Sequence, residues 1–249
     1  MLMLWTLACG VEPAPSDLDG LVHWLWDHHG EAEGVDWSEG FANVLEVLAP
    51  LEETLTGDLS DLSAEQTLGF SDGDPSGCRG LVMARRFSCT LNDLEPILYA
   101  LEQDSQYPDV YTDYTRAYTS SLTDYTSRES PTLTWEVTAS AELLGVGYTE
   151  DLLGGLHRVA EGDAGTGVMA RTWMPGPARW DSEGWTWTQD YQVELWLEPE
   201  PGTLWHVYGV WRDMDLGGLN MDNDGVANTT LDSMSDWDTA TEALCAGGG

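Results

Sequence analysis

Two stretches in the second half of the chain alternate strictly between apolar and polar residues, and few folds accommodate both. In TLTWEVTASAEL, residues Leu133, Trp135, Val137, Ala139, Ala141 and Leu143 fall at every second position, with Thr, Ser and Glu between them. In TQDYQVELWLEP, the apolar set is Tyr191, Val193, Leu195 and Leu197, and the polar set includes Gln192, Glu194 and Glu198. A period of two fits an extended strand with unlike faces and does not fit a helix. PEPGT then supplies a turn, and LWHVYGVWRD reads as the returning strand. Shorter strands fit GGLHRVAEG and GVMARTWM. Successive strands joined by short turns imply an antiparallel meander.

The first third reads as helical. Asp17 caps a segment with Leu18, Leu21, Val22 and Leu25 on one face. Ser38 caps a second, carrying Phe41, Val44, Leu45 and Leu48 up to Pro50. LVMARRFSCTL is strand-like, and Asn92, with Glu95 at the capping-box position, opens a third helix bearing Leu94, Ile97, Leu98 and Leu101. Residues 107–126 place tyrosines at helical spacing but are rich in Tyr and Thr, which favour strands; the strand reading is preferred. A C-terminal helix fits Met234, Trp237, Thr241 and Leu244, ending at Gly247.

The expected class is therefore α+β and rich in β: a curved antiparallel sheet or partial barrel with N-terminal helices, one inserted helix and a C-terminal helix. Residues 17–249 form one domain on this reading, helical over 17–68, mainly β over 80–213, with an acidic loop and helix over 214–246.

The charge balance narrows the partners. Aspartate and glutamate number 44 against 9 basic residues, all arginine, for a formal net charge of -35. Such a field repels phosphate backbones and argues against nucleic acid. Beyond residue 10 no apolar run approaches the roughly 20 residues of a membrane helix.

The chain opens MLMLWTLACG, an apolar run followed by a small residue and cysteine. Leu7-Ala8-Cys9-Gly10 resembles the lipobox of bacterial lipoproteins. The resemblance implies that residues 1–8 are a signal segment, with a charged beginning supplied by an upstream start, and that Cys9 is acylated. Residues 9–16 then serve as a tether. The three acyl chains usual in that family would anchor the protein stably, since one chain anchors only marginally. Export to the bacterial cell envelope, at the outer membrane or cell surface, follows from the same resemblance.

Acylation of Cys9 leaves Cys78, Cys89 and Cys245, one more than a single disulfide uses. If residues 78–89 are one extended strand, its ends stand roughly 35 Å apart, too far to bridge. A hairpin would let Cys78 and Cys89 pair; a clasp from Cys245 to either would tie the C-terminus to the body.

Other motifs carry weaker signals. In NMDNDGVANTTLD, Asn220, Asp222 and Asp224 alternate before Gly225, with Asn228 and Asp232 downstream. This resembles the first half of an EF-hand loop, which implies calcium; Leu231 takes the place of the closing glutamate, and Asp232 comes one residue late. GFSDG matches the nucleophile-elbow pattern around Ser71, with only His157 and His206 downstream as bases. Pro75 and the glycines deny it the following helix that an elbow needs, so no nucleophile is assigned. GTGVMA, residues 165–170, opens onto a strand and so fails as a dinucleotide loop. His23, His28 and His29 lack zinc-helix spacing; a solvent-facing helix end is the expected place for the last two, with His28 beside Glu31 or Asp27 as a metal alternative.

Seven of the 13 tryptophans lie between residues 173 and 211. Trp185, Trp187 and Trp196 are the candidate ligand contacts, Trp196 because it falls among Glu194 and Glu198 on the polar side of its strand. The sequence reading is an exported lipoprotein whose non-catalytic domain binds a ligand, an apolar small molecule, or acts as a scaffold. The alternative is a tryptophan-rich carbohydrate-binding module with structural calcium, and a third is a secreted hydrolase.

Overall fold

The computed structural model describes residues 13–31, 35–51, 54–71, 73–162 and 164–247. The signal segment and Cys9 lie outside the described residues. Helices α1 (Leu18–His28) and α2 (Trp37–Leu48) come first, followed by strands β1 (Leu55–Leu59) and β2 (Arg79–Phe87). Three short helices, α3 (Leu91–Leu98), α4 (Gln103–Gln106) and α5 (Leu122–Thr126), surround β3 (Asp113–Tyr118). The long strands follow: β4 (Thr132–Leu143), β5 (Val146–Gly162), β6 (Gly165–Trp173), β8 (Trp185–Glu200) and β9 (Thr203–Leu216), with β7 (Arg179–Trp180) a two-residue strand between them. The last element is α6 (Asp224–Gly247).

All strands join one antiparallel sheet in the order β1-β2-β9-β8-β6-β5-β4-β3, with β7 paired to β5. The sheet is curved and unclosed, so the expected α+β class is what the chain adopts. The β8–β9 hairpin turns on Pro201 and Gly202, where Gly202 supplies a positive φ of 83°.

Both faces of the sheet are covered. The first carries Tyr191, Val193, Leu195 and Leu197 of β8 against α1 and α2. The helices approach closely because two strand positions lack a side chain. A Cβ at Gly209 would lie 2.3 Å from Val22 Cγ1, and one at Gly167 would lie 2.5 Å from Phe41 Cζ. The second face carries Leu133, Trp135, Val137 and Ala139 of β4 and is covered by α3, α5 and α6.

Several local expectations shift. The second helix is capped by Asp36, which accepts from the Glu39 N–H, two residues earlier than Ser38. Thr90, not Asn92, caps α3, and its hydroxyl also meets Asp93 at 2.6 Å; Glu95 instead pairs with Arg158. Residues 107–126 are only partly strand: β3 occupies the middle and α5 follows. The C-terminal helix starts ten residues ahead of Met234, at Asp224. The region expected to be helical holds β1, and the mainly β region holds α3, α4 and α5.

A chemical clasp fixes α6. Cys89, just after β2, is bonded to Cys245 in the last turn of α6, across a sequence separation of 156. This is one of the alternatives the cysteine arithmetic leaves open, and Cys78 remains a buried free thiol. Burial drives that thiol's pKa well up, which makes it a poor nucleophile. Arg85 adds an ion pair to Glu242 at 2.5 Å, and the Tyr107 hydroxyl lies 2.9 Å from Thr241 Oγ1.

Candidate functional site

A cavity of about 200 Å³ lies between the second face of the sheet and α6. Strand pleating builds its lining, because alternate residues of neighbouring strands point the same way. From β5 come Tyr148, Glu150 and Leu152, from β8 Gln192 and Glu194, and from β9 Tyr208 and Arg212. Helix α6 adds Thr230, Met234 and Trp237 as a roof, and Tyr111 and Tyr114 close one side. The cavity slightly exceeds the roughly 150 Å³ engineered hole that takes up benzene.

One lining residue owes its place to a bulge. On an unbroken β8, Trp187 would share a face with Tyr191. The β8–β9 register shifts between Trp187 and Gln189, so Trp187 instead sits opposite Met214 on the cavity side. Its ring then underlies the Arg212 guanidinium, 4.1 Å from ring centroid to Cζ.

The polar groups on this face form two clusters. In the first, Arg212 Nε donates to Asp190 Oδ1 at 2.9 Å. The Tyr208 hydroxyl donates to Gln192 Oε1 at 2.8 Å, and Gln192 in turn donates to Asp190. Burial works against charge on Arg212, but the Asp190 carboxylate more than offsets this and keeps the guanidinium ionised. Glu150 stands beside this cluster, 7% exposed, with no hydrogen-bond partner for Oε2. Burial, reinforced by the nearby Asp190 charge and opposed by Arg212, raises its pKa to about 8.

The second cluster is centred on His206. Its Nδ1 lies 2.8 Å from Asp238 Oδ1 on α6, and its Nε2 lies 3.1 Å from Glu194 Oε2 on β8. Burial alone would lower the imidazole's pKa, but Asp238 and the hydrogen bonds to both carboxylates outweigh it and raise the value to about 9. At neutral pH the ring is a cation that donates from both nitrogens. It thereby pins the roof helix to the sheet.

The residues nominated from sequence are scattered. Trp187 lines the cavity. Trp185 packs against Trp180 at one end of the sheet, with ring centroids 5.2 Å apart. Trp196 is 0% exposed and stacked on His206, so the exposed stacking platform expected of it does not exist. The reason is α6, which covers the side of β8 that the sequence presented as polar. The supposed calcium stretch spans a loop and a helix. Asn220 bridges to Asp215, Asn220 Nδ2 lies 3.4 Å from Asp222 Oδ2, and Asp224 opens α6. Asn228 and Asp232 sit one helical turn apart on that helix, both exposed. Among the described residues, no group of three or more His, Cys, Asp and Glu side chains is gathered to hold a metal ion.

Ser71 lies in a loop, its Oγ 2.5 Å from the Tyr191 hydroxyl. Residues 165–170 are part of β6. His28 Nδ1 meets Glu31 at 2.7 Å, and His23 bonds to Ser60. The expectation of a solvent-facing helix end fails for His29. Its ring stands 6.2 Å from that of His157, and burial, with Arg171 and His157 nearby, lowers its pKa to about 3.

Sequence reasoning missed Glu150, Asp190, Arg212 and Asp238. Asp190 on β8 and Arg212 on β9 fall opposite each other only because the register shifts between Leu197 and Glu200; a hairpin drawn straight from its turn would pair Asp190 with Asp213.

No family model and no curated protein matches the chain. Among solved structures, a START superfamily protein from Mycobacterium smegmatis aligns over 67% of this chain and 97% of its own, at 10% identity and a TM-score of 0.45. A STAR-related lipid transfer protein from Xanthomonas axonopodis aligns over 78% and 94%, at 13% identity and a TM-score of 0.45. Human StAR-related lipid transfer protein 5 covers 84% and 94%, at 9% identity and the same TM-score of 0.45. Likenesses at this level leave the chain's function to be read from its own geometry.

Proposed function

We propose that this chain is a ligand-binding domain that encloses a small, mainly apolar molecule between its sheet and α6, without transforming it. The observation that carries the reading is the cavity itself: a space of about 200 Å³ inside the domain, walled by Leu, Val, Met, Tyr and Trp side chains together with Gln, Arg, Glu, Thr and Ser groups. Enclosed apolar space with sparse, fixed polar groups is the usual form of a small-molecule site. The charged side chains around it are engaged mainly with one another, His206 with Asp238 and Glu194 and Arg212 with Asp190, which suits binding better than turnover. Acylation of Cys9 and tethering to an envelope membrane belong to the same proposal and rest on the lipobox resemblance.

Calorimetric titration with 1-hexanol tests the cavity. Ala170 is 6% exposed and lines it. Ala170→Leu fills part of the space, and is expected to abolish alcohol binding while keeping the cooperative thermal transition. Unchanged binding by that variant would refute the site. The anchor is tested by labelling cells with a radioactive fatty acid; label retained on Cys9→Ser would rule it out.

A further inference from the structure

The cavity's electrostatics narrow the ligand further than its size does, if the proposed binding site is accepted. Four carboxyl groups belong to this face and its roof: Glu150, Asp190, Glu194 and Asp238. Three cations accompany them, and each is already committed. Arg212 is bound to Asp190, and His206 lies between Glu194 and Asp238. Arg116 donates to the Leu98 carbonyl at 2.6 Å and to the Tyr114 hydroxyl, with its guanidinium 4.3 Å from the Trp135 ring centroid.

Glu150 is the carboxyl left over. It lines the cavity, is 93% buried by its 7% exposure, and leaves Oε2 with no partner. A buried carboxyl lacking a partner is costly, and a native structure keeps one where something else completes it. Its surroundings select what that is. Asp190 and Asp151 act on it as negative charges and Arg212 opposes them. The phenols of Tyr111 and Tyr148 line the same cavity as Glu150. Ring faces attract cations. The chain's net charge of -35 draws cations toward the protein and repels anionic amphiphiles such as fatty acids.

We infer that the ligand carries one basic nitrogen on an apolar body, and that its ammonium group pairs with Glu150 while the body fills the space under α6. The size of the cavity, little more than a benzene hole, restricts the class to small aliphatic or single-ring amines.

The test uses three probes with one six-carbon chain: n-hexylamine, 1-hexanol and hexanoate, each titrated calorimetrically into the folded protein at about pH 9, above the value of about 8 at which Glu150 ionises and below that of an alkylammonium. The amine is expected to bind at least tenfold tighter than the alcohol, and hexanoate more weakly than either. Glu150→Gln should bring the amine to within about twofold of the alcohol and leave the alcohol unchanged. Glu150→Met, which removes the charge without leaving a polar group, should do the same and serves if the first variant folds poorly. Equal affinity of amine and alcohol for the wild type, or amine affinity unaffected by both substitutions, would overturn the inference and leave the apolar cavity standing. Binding of none of the probes to well-folded wild type would remove the cavity reading, and this inference with it.

Discussion

His206 lies flat on Trp196, with ring centroids 3.6 Å apart and planes 5° from parallel. The imidazole belongs to β9 and the indole to the facing position of β8, so two adjacent strands present one flat aromatic step beneath α6. Onto that step the roof helix sets Asp238, itself 0% exposed. The stack lies against one face of the imidazole, and the two carboxylates meet its two nitrogens.

The pH response of this arrangement has a definite sign. A histidine with a pKa of about 9 in the fold and 6.5 outside it stabilises the fold fully below pH 6.5 and loses that contribution as pH rises through 9. Full loss amounts to about 3 kcal/mol by the linkage of pKa to free energy. Thermal unfolding at pH 6 and pH 9.5 should show a larger fall for wild type than for His206→Gln. Parallel curves would mean that the ring is not charged in the fold.

Removing one partner of a buried pair costs more than removing both, because a charge is stranded. Asp238→Ala is expected to destabilise by about 3–5 kcal/mol. Urea unfolding measures this; a loss under 1 kcal/mol would show that Asp238 does not secure the roof.

Glu150 works in the opposite direction from a paired carboxylate. Below pH 4.5 it is protonated in both states; between 4.5 and about 8 the unfolded chain gives up the proton and the fold keeps it, so stability falls. Each unit in that window is worth about 1.4 kcal/mol. Glu150→Gln should therefore gain stability over wild type progressively from pH 5 to 8 in denaturant titrations. A constant difference across that range would contradict the assignment.

The Cys89–Cys245 bond closes a long loop, and chain-entropy reasoning sets its contribution at up to about 5 kcal/mol. Dithiothreitol, or Cys245→Ser, should lower the melting temperature by several degrees and expose α6 first in hydrogen exchange. Equal protection of α6 with and without the bond would show that its noncovalent contacts alone hold it.

Helix α1 presses on a strand position with no room for a side chain. Gly209→Val should prevent tight docking of α1, since even a Cβ there falls 2.3 Å from Val22. Loss of cooperative unfolding by circular dichroism is the expected result; a wild-type transition would place α1 elsewhere.

The meander was legible because the sequences of β4 and β8 alternate between apolar and polar residues and a turn leads from β8 into the returning strand. The same alternation misled about the site. A period of two reports that the faces of a strand differ, and does not report which one meets water. Gln192 and Glu194 read as solvent-facing, yet they line an interior space because α6 lies over them. Helix α6 was itself half hidden, since the side it buries includes Thr230, Asp238 and Thr241. Those residues suit a polar strip of sheet and break the apolar stripe by which helices are recognised. Parity alone would put Trp187 on the face of Tyr191, since a bulge leaves no mark in a sequence pattern. Glu150 was one acidic residue among 44, with nothing local to single it out.

The roof of the cavity is made after every strand beneath it. Until α6 emerges from the ribosome, the newly made sheet shows solvent the aromatic step and the carboxyls of its second face, and Cys89 waits 156 residues for its partner. Enclosure thus follows synthesis of the whole sheet, so any molecule held inside is admitted after α6 has been made or trapped as that helix closes.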